Sequence, residues 1–151
     1  SPTCTVRDIR TAERMARYAN ISLNELGKII FSASFEGKTI KELLFTDYKE
    51  FHIAGHDLAV AQITCVDSSS ILERKEEFLT EMRLVAEKKQ VAMVILMLTD
   101  VLLEGSQILY VGDDEIISQA FHATPKDNSV FLPQVMSRKK QIIPSLSALW
   151  G

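Results

Sequence analysis

Arg138, Lys139 and Lys140 stand side by side directly after Ser137, and three adjacent cations carry a definite chemistry. Their apolar flanks, Val135-Met136 and Ile142-Ile143, place them where a short strand over Asn128 to Leu132 gives way to a terminal helix expected from about Gln141 to Trp150. The N-terminus of a helix is the positive end of its macrodipole, so each cation there costs a few tenths to about 1 kcal/mol. Neighbouring cations also repel one another. An anion seated among them would remove that cost, and the unpaired N–H groups of the first helical turn would add donors. Arginine grips two phosphate oxygens with one planar fork, while lysine brings a compact, mobile charge. Residue types alone leave three readings open: a phosphate site, a solvated basic surface, or a nucleic-acid contact.

Other reactive patterns are sparse. His52 and His56 straddle an expected turn, His122 stands apart, and no second carboxylate-rich segment completes a metal set around His56-Asp57. No nucleophile triad is visible, and no glycine-rich phosphate loop of the G-x-x-x-x-G-K type. Cys4 and Cys65 are too few for a disulfide scaffold and read as thiols of a reducing compartment, so a cytoplasmic location is expected. The formal charge of -3 argues against a sequence-independent nucleic-acid binder, which would carry a basic excess. The apolar run Val91 to Leu98 is far shorter than the roughly 20 residues of a membrane helix and is expected to be a buried strand. Neither nucleic acid nor membrane is therefore an expected partner. The chain opens Ser1-Pro2 without an initiator methionine, which suggests a processed product or a piece of something larger.

The elements that must position the cations follow from periodicity. Thr5 to Asp8 resembles a capping box, with Ile9, Ala12, Ala16 and Ala19 at helical spacing behind it. Ser22 with Glu25 opens a second helix carrying Leu26, Ile29, Ile30 and Ala33 on one face. Thr39 with Glu42 opens a short third helix ending near Phe45. A β-hairpin is expected next: Lys49 to Ile53, a turn over Ala54 to Asp57, and a longer strand from Leu58 to Val66. Ser70 to Glu73 begins a long charged helix running to about Lys88, with its charges in water. Val91 to Leu98 is apolar throughout, so both faces should be covered. Gln107 to Val111 is another strand, and Asp113 caps a helix through Phe121. With 151 residues, 46% of them apolar, one core is expected. The fold class is α/β: a single-domain sandwich with a mixed sheet of about five strands and helices on both faces.

The segment Asn128-Ser129-Val130-Phe131-Leu132-Pro133-Gln134-Val135-Met136-Ser137-Arg138-Lys139-Lys140-Gln141-Ile142-Ile143-Pro144 resembles the C-terminal signature of family II inorganic pyrophosphatases, centred on SRKKQ. The opening Ser1-Pro2-Thr3-Cys4-Thr5 resembles the SPT-x-T start of that family's DHH-associated C-terminal domain. Asp47-Tyr48-Lys49-Glu50-Phe51, preceded by Leu43 to Thr46, resembles its D-x-K-x-F segment. Thr99-Asp100, Val111-Gly112-Asp113 and Asn128-Ser129 fall in register too. Gln134 departs from the family, which typically has glycine there.

The resemblance implies that residues 1–151 form a DHH-associated C-terminal substrate-binding domain, whose parent hydrolyses diphosphate to two phosphates. It implies that manganese is held by an N-terminal metal-binding domain of the same polypeptide, absent from this chain, so that this domain alone would be inactive. Carried over residue by residue, Arg138 and Lys139 would be catalytic, and Lys49, Arg138, Lys139 and Lys140 would bind pyrophosphate. The same domain type also occurs in exopolyphosphatases and in non-catalytic relatives. A phosphate-, polyphosphate- or nucleotide-binding module is therefore the alternative.

Overall fold

The computed structural model describes Phe35 and residues 37–151. The two helices expected before Phe35 lie outside the described residues. Helix α1 spans Ile40–Phe45. Thr39 starts it, its Oγ1 accepting from Glu42 N at 3.1 Å, as the Thr39 and Glu42 pattern requires.

Strands β1, Tyr48–Ile53, and β2, His56–Cys65, form the expected antiparallel hairpin. The turn is two residues rather than four. Ala54 and Gly55 both have positive φ, 49° and 82°, the geometry whose twist matches two right-twisted strands. His56 and Asp57 consequently sit in the ladder, opposite Ile53 and His52.

A single helical turn, α2, Ser69–Leu72, precedes helix α3, Lys75–Lys89, where one long helix was expected. The buried carboxylate of Asp100 is involved in the break. Its Oδ2 accepts from Ser68 N at 3.2 Å and from Ser68 Oγ at 3.3 Å, which pins the entry to α2 against the sheet. Arg74 leaves the helical region with φ -106° and ψ 23° before α3 begins.

Strand β3, Met93–Asp100, is buried at all eight positions and runs parallel to β2, with Leu58 opposite Met93 and Cys65 opposite Asp100. Strand β4, Gly105–Val111, returns antiparallel. Helix α4, Asp114–Phe121, is capped by Asp113, and strand β5, Ser129–Pro133, closes the sheet against β4. A side chain at Gly105 would put its Cβ 2.8 Å from the Leu132 carbonyl oxygen, so glycine permits the two strands to approach. The order is β1-β2-β3-β4-β5, a five-stranded mixed sheet as expected.

Both faces are covered. Ala61, Ile63, Leu96 and Leu98 pack under α1 and α3 through Leu44, Phe78 and Met82. On the opposite face Leu58, Val60, Ile95, Met97 and Ile108 pack with Ile117 of α4 and with Ile142 and Leu146 of the C-terminal helical segment. Tyr110 is fully buried on this second face and bonds the carboxylate of Asp114. Burial, then that hydrogen bond and the carboxylate's charge, push the phenol well above its ordinary value of 10.

Candidate functional site

The chain leaves β5 through Gln134, whose φ of 63° is left-handed. Its N–H donates to the Glu104 carbonyl at 2.7 Å. Where the family resembled by the sequence has glycine, glutamine therefore holds a conformation that glycine adopts without strain.

From here the backbone is braced at nearly every step. Ser106 Oγ donates to the Val135 carbonyl at 2.6 Å, and Gln62 Nε2 to the Met136 carbonyl at 3.1 Å. Gln62 Nε2 also donates to Thr99 Oγ1 at 2.9 Å, and Thr99 and Ser106 bond through their hydroxyls at 2.9 Å. The amide of Gln141 closes the loop from the other side. Its Oε1 accepts from Met136 N at 2.8 Å and Ser137 N at 2.9 Å, and its Nε2 donates to the Gln134 carbonyl at 2.9 Å.

Ser137 caps the helix that follows, its Oγ accepting from Lys140 N at 3.0 Å. Arg138–Ile142 form a wide π-helical turn that runs into helix α5, Ile143–Trp150. The Ser137 carbonyl accepts from both Gln141 N and Ile142 N, at 3.0 and 3.2 Å. Helix therefore begins at the cations rather than after them, and all three lie in its first turn. Gln62 and Thr99 belong to the carboxyl-terminal ends of the parallel strands β2 and β3, so the loop sits over the sheet edge where α/β proteins collect ligands.

Arg138 is nearly buried, its side chain 8% exposed. Its Nη2 donates to Asp47 Oδ1 at 2.7 Å, and its Nη1 donates to the carbonyls of Asp47 and Val60, each at 3.1 Å. The expectation that an outside anion neutralises all three cations does not hold for Arg138. One of the three cations has its counter-charge inside the chain, in Asp47, and needs no external anion to be neutralised. Three bonds use three of the five N–H donors of a guanidinium, leaving two for another acceptor.

This bonding joins the two segments that carry the resemblance. Asp47 lies two residues before Lys49, and Val60 is the cross-strand partner of Lys49. Lys49 also alternates with Phe51 and Ile53, which pack on the same sheet face as Ile142 and Leu146. Lys49 and Arg138, 89 positions apart in the chain, thus belong to one edge and one face. Lys139 and Lys140 are exposed, one and two residues further along the same turn.

Sequence reasoning missed Asp47, Gln62, Thr99, Ser106 and Gln141 as the residues that hold this arrangement. Gln62 had a signal, being the long polar residue inside a strand from Leu58 to Val66 whose other residues, Thr64 apart, are apolar. Asp47 and Gln141 lay within the quoted motifs but were passed over because neither is a cation.

The histidines serve the hairpin end. His52 Nδ1 meets Asp57 Oδ1 at 2.5 Å, as their cross-strand register dictates. The His56 ring stacks on Trp150, centroids 4.2 Å apart and planes 12° apart, which ties the end of α5 to the start of β2. Among the described residues no group of three or more His, Cys, Asp or Glu side chains could hold a metal ion, so they do not fit manganese. No described helix is long and apolar enough to cross a membrane. Two surface grooves lie away from the cations, one of about 810 Å³ between α1 and α3 along Phe45 and Leu84, the other of about 250 Å³ beside His52 and Asp57.

The DHHA2 domain model matches residues 30–149. A cobalt-dependent inorganic pyrophosphatase from Clostridium perfringens is 40% identical over 152 residues, covering 99% of this chain and 28% of that protein. A manganese-dependent inorganic pyrophosphatase from Methanothrix thermoacetophila is 37% identical over 153 residues, covering 98% of this chain and 49% of that protein. A crystal structure assigned to a family II inorganic pyrophosphatase of Methanococcus jannaschii superposes with a TM-score of 0.74 at 31% identity, covering 99% of this chain and 50% of that one. The chain thus spans half or less of the length of these relatives and corresponds to their C-terminal part. It belongs to the DHHA2 domain family.

Proposed function

We propose that this chain is the substrate-binding domain of a manganese-dependent inorganic pyrophosphatase, and that Lys49, Arg138, Lys139 and Lys140 receive the phosphates. The observation that supports it most is the contact of Arg138 with Asp47 and Val60, which brings the SRKKQ and D-x-K-x-F segments to one edge of the sheet. Pyrophosphate carries roughly three to four negative charges near neutral pH, and attack by hydroxide on such an anion is repelled until that charge is offset. Arg138, fixed on three sides, has two donors left to aim at a phosphoryl group. Lys139 and Lys49 are exposed and bring mobile charges that follow the distal phosphate as it departs. Lys140 adds to the field at longer range.

The described residues offer manganese no ligand set, so we assign metal binding and the activation of water to a domain joined to this one. The metal supplies a nucleophile and Lewis-acid stabilisation there. This chain supplies grip, orientation and positive charge. The whole enzyme is placed in the cytoplasm, with neither nucleic acid nor membrane as a partner.

The test is reconstitution. Added in trans to a separately purified metal-binding domain, the chain should restore manganese-dependent release of phosphate from pyrophosphate, and alone it should release none. Strong hydrolysis by the chain alone overturns the assignment. Titration with pyrophosphate, long-chain polyphosphate and adenine nucleotides then separates this reading from a nucleotide- or polyphosphate-binding module, which would prefer the last two.

A further inference from the structure

We propose that Asp47 is a positioning residue that also sets the charge of the phosphate site, holding Arg138 in place while lowering the affinity for the product. The inference rests on the reading of Arg138 and its neighbouring lysines as phosphate ligands. Two atoms of Asp47 reach one guanidinium: Oδ1 accepts from Nη2 at 2.7 Å, and the backbone carbonyl accepts from Nη1 at 3.1 Å. That carbonyl also accepts from Gln62 N at 2.9 Å, and Gln62 holds the Met136 carbonyl of the cation loop at 3.1 Å. Asp47 is therefore fixed to the same frame that fixes the loop. It is not a side chain that happens to fall near an arginine.

The carboxylate is placed differently from the guanidinium it bonds. The Asp47 side chain is 41% exposed and that of Arg138 8%, so of the two charges the negative one is the more open to solvent. The other acidic residue of the segment, Glu50, is taken up elsewhere. It accepts from the Tyr48 hydroxyl at 2.6 Å and pairs with Lys89 at 3.7 Å, on the opposite face of the sheet. Asp47 is thus the acidic side chain that bonds into the cation cluster.

Two effects on an anion follow, and they oppose each other. Holding the guanidinium rigid lowers the entropy lost when phosphate is gripped. The carboxylate's charge repels the same phosphate. A site made of four cations alone would hold inorganic phosphate after hydrolysis, and a fixed anion among them speeds its departure. At an effective dielectric of about 40 and a separation of about 6 Å, removing one unit charge changes the affinity for a singly charged anion about tenfold.

The full-length enzyme with its metal-binding domain is the material for the test. Product inhibition by inorganic phosphate and the kcat and KM for pyrophosphate are measured for wild type, Asp47→Asn, Asp47→Ala and Lys139→Ala. Asp47→Asn keeps the oxygen that accepts from Arg138 and removes only the charge. It should tighten phosphate inhibition about tenfold and lower KM for the more highly charged pyrophosphate by at least as much, effects that shrink as salt rises, while kcat for the chemical step, read in single turnover, stays within about threefold. Asp47→Ala also loses the acceptor, and its single-turnover rate should fall about tenfold or more below that of Asp47→Asn. Unchanged or weaker phosphate inhibition in Asp47→Asn overturns the charge role, and it does so even if the alanine variant fails to fold. Equal single-turnover rates in the two variants overturn the positioning role. Lys139→Ala tests the underlying reading: if it leaves phosphate inhibition and KM untouched, the phosphate site itself is misplaced and the role of Asp47 in it falls as well.

Discussion

Replacing Arg138 by methionine keeps most of the stem that lies against the sheet and deletes the fork. Three bonds go with it. The bond to Asp47 is charge-assisted, but its carboxylate is 41% exposed and water will re-solvate it, so about 1 kcal/mol is the fair figure. The bonds to the carbonyls of Asp47 and Val60 contribute about 0.5–1.5 kcal/mol each. The Asp47 carbonyl keeps its bond from Gln62 N at 2.9 Å, which softens one of the two losses. The total is about 3 kcal/mol, or a fall in Tm of roughly 6–12 °C for a domain of this size. Lysine at the same position keeps a charge beside Asp47 but cannot meet three acceptors, and should recover about half of the loss. Urea denaturation followed by circular dichroism measures both variants. A loss under about 1 kcal/mol in Arg138→Met, or equal losses in the two variants, would refute the bonding pattern on which the site is built. Turnover is a separate readout. In the complete enzyme, Arg138→Ala should slow hydrolysis by about 100-fold or more, as loss of an electrostatic donor to the transferring group does. A near-normal rate from a folded variant would leave Arg138 a purely structural residue.

Other changes separate the parts of the loop. Gln141→Glu keeps the acceptor for Met136 N and Ser137 N but loses the donor to Gln134 and adds a negative charge beside the cations. Binding of methylenediphosphonate, measured by calorimetry, should weaken at least about tenfold, whereas Gln141→Ala should mainly lower stability, by about 1–2 kcal/mol. Gln134→Gly relieves a left-handed residue of about 1–2 kcal/mol of strain and adds about 0.5–1 kcal/mol of unfolded-chain freedom, so a small rise in Tm is expected and a fall would show that the glutamine side chain itself stabilises the turn. Tyr48 and Tyr110 both have their phenols raised by burial first, then by Glu50 and Asp114. Above pH 10 the unfolded chain loses these protons while the folded one keeps them, so stability is intact below pH 10 and declines as pH rises beyond it. Tyrosinate absorbance should appear together with unfolding, and Tyr110→Phe should reduce the slope of that decline.

Periodicity was enough to find the strands and most of the described helices, because each strand alternates or is buried throughout and most helices bury one face. Met93–Asp100 is buried on both faces and read as an unbroken apolar run. The hairpin read as alternation beside a turn over Ala54 to Asp57, two residues longer than the turn that forms. The pinning of the α2 entry was invisible, because it comes from Asp100, some thirty residues away, reaching Ser68. For the same reason the cations were legible and their partners were not. Three adjacent charges announce themselves in a sequence, whereas the pairing of Arg138 with Asp47 spans 91 positions and exists only once β1 lies beside β2 and α5 lies across both. The family glycine at Gln134 is the converse case: a departure visible in the sequence whose meaning, a left-handed backbone, needed the fold.

The loop combines two kinds of order that the proposed site for a small polyanion would need in different places. Its backbone is tied to the sheet by Ser106 and Gln62 and to its own helix by Gln141 and Ser137. Among the described residues no buried side-chain nitrogen or oxygen lacks a partner, so little in this frame is left to rearrange when a ligand arrives. Arg138 belongs to the frame, and its direction is decided before binding. Lys139 and Lys140 project from it into water and keep the rotamer freedom that lets a point charge follow a moving phosphate. On the proposed reading, a fixed fork would orient the anion and mobile ammonium groups would track the charge as it redistributes. Exchanging the roles would fail on both counts: a buried lysine would lose its hydration to a site it cannot bond three ways, and an exposed arginine would have to be ordered anew with each substrate. The order Ser-Arg-Lys-Lys-Gln therefore follows from which side of the first helical turn faces Asp47 and Val60 and which faces solvent.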